Sequence, residues 1–502
     1  MFSLSKDYIK KIYSTEKSIA YKNIKKESWA SALTHIDNAA IVAYNLNLVF
    51  KDDEIEEWLA KSSSQLIVKK KDEYKQNANR YLFYDQIGNS SVLAVQYIRA
   101  LKNWGVEFMY VLDPSRHTNR TILSEIENYS KATILILPKS IDERVNNIQY
   151  YYDTIREYGA EKAFIHSPAE GAFGVVLLNA LPEITRYRIV PGDHHFYIGT
   201  TVSDYCIEFR EFGYNIALQK RGFSPRQILI QPYYPIINRN ASFAGFPKET
   251  EGKVVFFSGG ALYKIYGHEN IYFKLVKQIL DAIPNAVILY AGGGNMTPLN
   301  KFIRKNRFEN RVILLGYRKD IYEVFNHCDI YLGTIPIIGG LMSQYAAVCS
   351  KPIVQFEPKL LYATSRKGVD SILSYNNNHD IIAWNTIDEA VQYAVKLARD
   401  VDFRKQEGIK LYSRVIDVET FNRELKRLIE TNTPAKCDWQ IPVEFFEEFE
   451  NFYIENLDKY SALLDIFMLR TMKSRLWRYP RILFRSLFNN SVRNYIFKKI
   501  LK

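Results

Sequence analysis

The spacing of hydrophobic positions changes twice along this 502-residue chain, near residues 78 and 433. Over residues 1–77 apolar side chains recur at helical intervals, as in SWASALTHIDNAAIVAYNLNLVF, and DDEIEEWLAKSSSQL opens with the acidic residues that favour a helix start. From about residue 78 the pattern becomes short unbroken apolar runs, RYLFYDQIG, VEFMYVLD, KATILILP, KAFIHSP and RYRIVPGD, with amphipathic helical segments between them. Such runs suit strands buried on both faces, so the alternation predicts a parallel sheet with helices on each side. A second series, KVVFFSGG, AVILYAGGG, RVILLGY, CDIYLGT and KPIVQF, follows the loop NRNASFAGFPKETEG (238–252), where Gly, Pro and charge replace periodicity. After about residue 433 the chain turns helical again, through the acidic and aromatic piece VEFFEEFENFYIENLDKY.

The expected fold class is therefore α/β, with two Rossmann-like doubly wound domains facing a cleft and helical additions at both ends. The expected parts are a helical accessory segment at 1–77, domains at 78–240 and 251–433, and a helical tail at 434–502. In open parallel sheets ligands bind beyond the carboxyl ends of the strands, which directs attention to the turns after each apolar run.

Composition changes this picture little. Hydrophobic content of 47% with 24% charged residues is that of a folded globular chain and excludes dominant disorder. Cys206, Cys328, Cys349 and Cys437 are far apart and form no CxxC pair, which favours reduced thiols over a metal site or disulfide framework. The start MFSLSKDYIKKIY carries lysines where a signal peptide needs an apolar run, and no window reaches the ~18 apolar residues of a spanning helix. A cytoplasmic protein is expected.

Charge is more informative. The formal net charge is +12, and residues 470–502 hold ten basic and no acidic residues. On a helical wheel Arg478, Arg481 and Arg485 fall together, Leu476, Leu483 and Leu487 lie opposite, and Trp477, Tyr479 and Phe484 flank them. That composition suits an interfacial helix on an anionic membrane surface. The competing expectation docks the tail on the acidic segment 443–459. No nucleic-acid-binding motif accompanies the charge, so nucleic acid is not expected as a partner.

Two stretches carry candidate chemistry. VVFFSGGALYKI (254–265) and DIYLGTIPIIGGLMSQYAAVCSKPIV (329–354) each join an apolar strand to a small-residue turn and a helix start. Glycines let backbone N–H groups approach an anion, and the following helix dipole favours negative charge there. Lys264 adds a full charge beside the first turn, and Ser258 and Gly260 belong to the same turn. Gly339 and Gly340, with Leu341 and Met342 opening the helix, would cap a diphosphate from the other side. The AGGGN stretch (291–295) fails the GxGxxG spacing and is read as an interdomain turn. The Asp400-Val401-Asp402 triplet follows a helix and reads as a helix end rather than a metal site.

The spacing F-x-x-x-x-L-Y-K-I from Phe257 to Ile265 and D-x-x-L-x-T-x-P-x-x-G-G from Asp329 to Gly340 resembles glycosyltransferases of the GT-B fold, and within them the O-GlcNAc-transferase-like group. The resemblance covers about residues 80–430 at fold level. It implies a nucleotide-sugar donor, most simply a UDP-sugar, with Lys264 meeting the diphosphate and Gly316, Tyr317 and Arg318 of LLGYRKD near the base. It also implies a hexosyl- or N-acetylhexosaminyltransferase acting on cell-surface glycan or lipid-linked acceptors, in a bacterium. The Lys, Ile, Asn and Tyr richness is compatible with an AT-rich bacterial genome. Many retaining members carry two glutamates eight residues apart. Aligned on Pro352, those positions are Ile337 and Tyr345, with Gln344 left for a ribose contact, which favours inverting, metal-independent transfer without a cofactor.

Inverting transfer needs a general base with a pKa near the working pH. RYRIVPGDHHFYIG supplies His194, with Asp193 orienting it or serving instead. If this segment stays extended, His194 and His195 point oppositely and one faces the cleft. His166 and Glu170 in FIHSPAEGAFG, and Gly88 and Asn89 after the first strand of the domain, are acceptor-side candidates. The alternatives are a protein O- or N-glycosyltransferase, and a catalytically silent GT-B partner or binding subunit. Homo-oligomer formation is compatible with the sequence.

Overall fold

The structure is a computed structural model that describes residues 5–46, 49–87, 92–113, 120–357, 372–373, 383–437, 440, 478–482 and 484. The chain divides into two compact units. The first comprises the described residues within Met1–Tyr233, Phe421–Gln440 and Leu463–Leu487, and the second those within Tyr234–Thr420.

In the first unit seven parallel strands, β1 (Asn77–Asp85), β2 (Glu107–Leu112), β3 (Ala132–Ile136), β4 (Ala160–His166), β5 (Thr185–Ile189), β6 (Tyr205–Glu208) and β7 (Ile228–Ile230), lie in the order 3-2-1-4-5-6-7. In register, Tyr84 of β1 stands between Val111 of β2 and Ile165 of β4. Three helices, Lys6–Lys25, Trp29–Leu46 and Asp53–Leu66, precede this sheet, and the second and third are tied to its turns by the carboxylates of Asp37 and Glu56. Glu56 accepts from the backbone N–H groups of Gly199 (2.6 Å), Thr200 (3.3 Å) and Thr201 (3.1 Å). Burying a carboxylate is costly unless it is hydrogen-bonded, and these three donors satisfy it.

The second unit holds six parallel strands, β8 (Val254–Gly259), β9 (Ala286–Ala291), β10 (Val312–Gly316), β11 (Ile330–Leu332), β12 (Ile353–Phe356) and β13 (Ala383–Trp384), in the order 10-9-8-11-12-13. Alternation along β8 sends Phe256 to one face, with Ile288, Leu275 and Leu397, and Val255 and Phe257 to the other, with Leu289, Phe325 and Ala347. Both faces are buried, which is why the run reads as continuously apolar. The helix Ile387–Arg399 starts at a capping box between Thr386 and Glu389, and Asp400 caps the helix Val401–Tyr412. Asp400 is thus a helix cap.

The expected second domain, 251–433, runs too far. The helix Val418–Thr431 carries the chain back to the first unit: Phe421 meets the Tyr97 ring edge-on at 5.5 Å, and the Tyr187 hydroxyl donates to the Ile429 carbonyl (3.1 Å) and Asn432 Oδ1 (2.6 Å). No helix among the described residues is long and apolar enough to cross a membrane. All four cysteines are free.

Candidate functional site

In each unit the strand order reverses once, between β1 and β4 and between β8 and β11, and such a reversal opens a crevice at the carboxyl ends of the strands. The diphosphate candidates singled out from sequence in the second unit lie at the ends of the two strands at its reversal, while Gly316, Tyr317 and Arg318 lie at the end of β10. After β8 the chain turns at Gly260 (φ +132°) into a short 3-10 turn, Leu262–Ile265, that presents Lys264. After β11 it passes through residues 333–339 into the helix Gly340–Val348, whose first turn has no side-chain cap. The two segments are bonded together, since Ile337 N–H donates to the Lys264 carbonyl at 3.2 Å. A Cβ built on Gly259 would lie 2.6 Å from Met342 Cε, so the helix start sits directly against the end of β8.

Lys264 is half-buried, no carboxylate among the described residues pairs with it, and burial alone pushes its ammonium below the ordinary lysine value. A desolvated cation beside an uncapped helix N-terminus is a site for an anion. Gln355 supports it from below: it is fully buried, and its Nε2 donates to the Phe356 carbonyl at 3.1 Å beneath the turn at Gly333. Strand-interior glutamine carries no sequence signal for this role.

The AGGGN turn is a wall of this same site, correcting its reading as an interdomain turn. Gly292 N–H donates to the Gly316 carbonyl (2.8 Å), and Leu262 N–H to the Gly293 carbonyl (2.9 Å). Gly292 has φ +157°, and a Cβ there would stand 1.8 Å from the Gly260 carbonyl oxygen, so only glycine allows this approach of two backbones.

Other candidates separate. Tyr317 is 83% exposed beside Gly316 and offers an open ring face. Arg318 is committed elsewhere: its Nε lies 2.7 Å from Asp320 Oδ1, its Nη2 2.5 Å from Oδ2, and its Nη1 donates to the Gly245 carbonyl at 2.9 Å. Asp320 also accepts from Ala244 N–H (2.8 Å) and is held at about 2 by Arg318, so this pair clamps residues 244–245 instead of presenting a free guanidinium. Ser258 is fully buried in the core near Tyr272, and Gln344 is buried in the helix, so neither lines an accessible surface. Gly339 is buried, while Gly340, Leu341 and Met342 are partly exposed.

In the first unit, residues 191–197 form a turn, and the expected opposition of the two histidines does not occur. Their rings lie against each other at 3.9 Å, and His195 stacks on Tyr44 at 4.0 Å. His194 Nδ1 is 2.8 Å from Asp193 Oδ1. Arg210 pairs with the other oxygen of Asp193, and Arg221 donates to the carbonyls of Asp193 (2.8 Å) and His195 (2.6 Å). Burial alone would raise the Asp193 carboxyl, but Arg210 and His194 outweigh it and hold it well below the carboxylate range. Burial lowers His194 below its ordinary value against the raising effect of Asp193. A neutral imidazole that donates from Nδ1 to Asp193 keeps its lone pair on Nε2, the arrangement of a base with an orienting carboxylate.

His166, at the β1/β4 reversal, is 1% exposed and bonds Asp85 (2.9 Å), which also accepts from the Tyr110 hydroxyl (2.6 Å); this is a buried strut, not an acceptor contact. Glu170 is partly exposed next to Gly171. Gly88 and Asn89 lie outside the described residues. A residue not anticipated from sequence, Asp37 of the second helix, caps the helix Ala172–Asn179 through Gly171 N–H (2.8 Å) and Ala172 N–H (2.9 Å). Burial lifts it to about 7 despite these bonds. Among the described residues no group of three or more His, Cys, Asp or Glu could hold a metal ion.

No protein-family model and no curated protein matches the chain. Solved structures do. HepE of Anabaena, in complex with UDP and glucose, is similar with a TM-score of 0.53 at 15% identity, over 70% of this chain and 99% of that one. The chain has the GT-B fold. A Thermobaculum terrenum O-GlcNAc transferase variant shares the fold with a TM-score of 0.51 at 13% identity, over 89% of this chain and 84% of that one. A glycosyltransferase from Rickettsia africae does so with a TM-score of 0.52 at 10% identity, over 71% and 99%. In this GT-B chain, the anion-ready crevice of the second unit and the Asp193–His194 pair of the first belong to separate sheets.

Proposed function

We propose that the protein is a glycosyltransferase that takes a sugar from a nucleotide-sugar, in the first instance a UDP-sugar. The observation that carries this reading is the half-buried Lys264 ammonium, paired with no carboxylate among the described residues, on a turn whose backbone is bonded to the segment leading into the uncapped helix Gly340–Val348. HepE of the same fold has been solved with UDP and with UDP-glucose, which supports the donor class. In transfer, the acceptor oxygen attacks the anomeric carbon, the bond to the diphosphate oxygen breaks, and its electron pair leaves on the diphosphate. Lys264 and the N–H groups of residues 340–342 stabilise that developing charge, the task a metal ion serves in other sites. His194 Nε2 takes the acceptor proton while Asp193 stabilises the imidazolium, and direct displacement inverts the anomeric centre. Tyr317 would stack on the base.

The test is a panel of nucleotide-sugars in thermal shift, followed by detection of released nucleotide with lipid-linked glycan or peptide acceptors. A ligand that binds the native state alone raises the melting temperature by mass action. Stabilisation by UDP and one UDP-sugar, with release that depends on acceptor, supports the reading; no shift with any nucleotide at saturating concentration overturns it. Peptide-dependent release would point to protein glycosylation, in line with the fold shared with an O-GlcNAc transferase.

A further inference from the structure

The described part of the basic C-terminal segment is anchored in an unexpected place. Tyr479 and Ile482 are 4% and 0% exposed, and the Tyr479 hydroxyl donates to Glu16 of the helix Lys6–Lys25. Glu16 is buried and its other oxygen takes His35 Nδ1 (2.6 Å) and Asn38 Nδ2 (3.0 Å), so the anchor is a satisfied polar network inside the first unit. The Arg481 guanidinium lies 5.0 Å over the Tyr8 ring of the same helix. Residues 443–459, the docking partner expected from sequence, lie outside the described residues.

This anchoring fixes what faces water. At 100° per residue, Ile9, Ile12, Tyr13, Glu16 and Ala20 form the buried side of the first helix, and Lys10, Lys11, Lys22 and Lys25 are exposed on the other side, where Asp7 is the one acidic residue. Arg478 and Arg481 are exposed on the docked segment, which also carries the half-exposed Phe484 ring (54%), and on the helix the Tyr21 ring (45% exposed) lies 5.3 Å under the Lys25 ammonium and 5.6 Å from Trp58 of the third helix.

We propose that the first helix and the C-terminal segment docked on it form one composite basic face that binds an anionic lipid surface. Basic residues held at a surface with half-exposed rings between them suit the headgroup region, where lysines meet anionic lipid and rings enter the interface. The lysines of the N-terminal helix are part of the binding face, so the tail does not act alone. The inference is independent of the sugar-transfer reading.

The test uses the full chain in co-sedimentation with vesicles of phosphatidylcholine alone and of phosphatidylcholine mixed with phosphatidylglycerol. Binding is expected only to the mixed vesicles and should weaken as salt is raised. Each basic residue near such a surface contributes about fivefold, so the Lys10→Glu/Lys11→Glu/Lys22→Glu/Lys25→Glu variant should lose about 100-fold or more in affinity. Its circular dichroism spectrum should remain that of the parent, with a melt lowered by the loss of Lys22 and Lys25 from the helix's last turn but still well above the assay temperature, because the four side chains are exposed. Unchanged binding by this folded variant would overturn the composite face, as would equal binding to both vesicles. Displacement from mixed vesicles by single-stranded RNA at low concentration would overturn the lipid assignment.

Discussion

Replacing Lys264 by methionine keeps the side-chain stem in its half-buried place and removes only the charge. Two opposite effects follow. Without ligand, the ammonium is desolvated with no carboxylate beside it among the described residues, and its pKa is lowered by burial. The folded state then binds the proton less tightly than the unfolded one, so the charge disfavours folding at pH 7, and the cost disappears only as pH rises past the unfolded lysine value. Lys264→Met should therefore melt no lower than the parent at pH 7. With ligand the sign reverses. A hydrogen bond from a charged donor contributes about 2 kcal/mol, so the variant should bind UDP about 30-fold more weakly. Uridine, which lacks the diphosphate, should bind both proteins equally. Transfer should fall further, by about 100-fold, because charge on the diphosphate grows towards the transition state. Calorimetric titration with UDP and uridine, beside a thermal melt, reads all of these. Unchanged UDP affinity, or equal weakening of UDP and uridine, would refute the reasoning.

Three further substitutions probe the remaining parts. His194→Asn should leave UDP affinity intact and lower transfer by about 100-fold or more. In the parent, the acid limb of the kcat/KM profile should lie below about 6.5, the ordinary imidazole value, because burial lowers His194; a limb above that value would remove His194 as the base. Arg318→Ala leaves Asp320 without its bidentate partner and should destabilise the second unit by about 3 kcal/mol in urea unfolding, with UDP affinity of the folded protein unchanged. Loss of UDP binding at full stability would instead make Arg318 a ligand contact. Gly292→Ala forces a Cβ against the Gly260 carbonyl and should cost about 2 kcal/mol or more together with UDP binding, checked by melt and titration.

The parallel sheets were legible because strands buried in a sheet read as unbroken apolar runs, and β1 to β5 and β8 to β12 each fall on one, including the edge strand β3, which leaves Ile134 and Ile136 exposed. β6 and β7 escaped for a physical reason. β6 is four residues long and ends in Glu208, a charge that interrupts the pattern and is paired only in three dimensions, with Arg221 at 3.0 Å. β7 has three residues. At the candidate site, Lys264 and the Gly339–Gly340 turn could be read from spacing, since glycine and charge after a strand have a local meaning. The role of Gly292 could not, because its requirement comes from a backbone 32 residues earlier in the chain, at Gly260. Arg318 looked free in sequence although Asp320 lies two residues on, and whether such neighbours pair depends on the turn between them. The anchoring of Tyr479 on Glu16 joins opposite ends of the chain and leaves no trace in either segment alone.

The central claim is that a nucleoside diphosphate binds at the strand-order reversal of the second unit, and a crystal structure with UDP tests it most directly. The account predicts the diphosphate within hydrogen-bond distance of Lys264 Nζ and of backbone N–H groups at residues 340–342. UDP bound at another place on the molecule, or density for it absent from this crevice at saturating concentration, would contradict it.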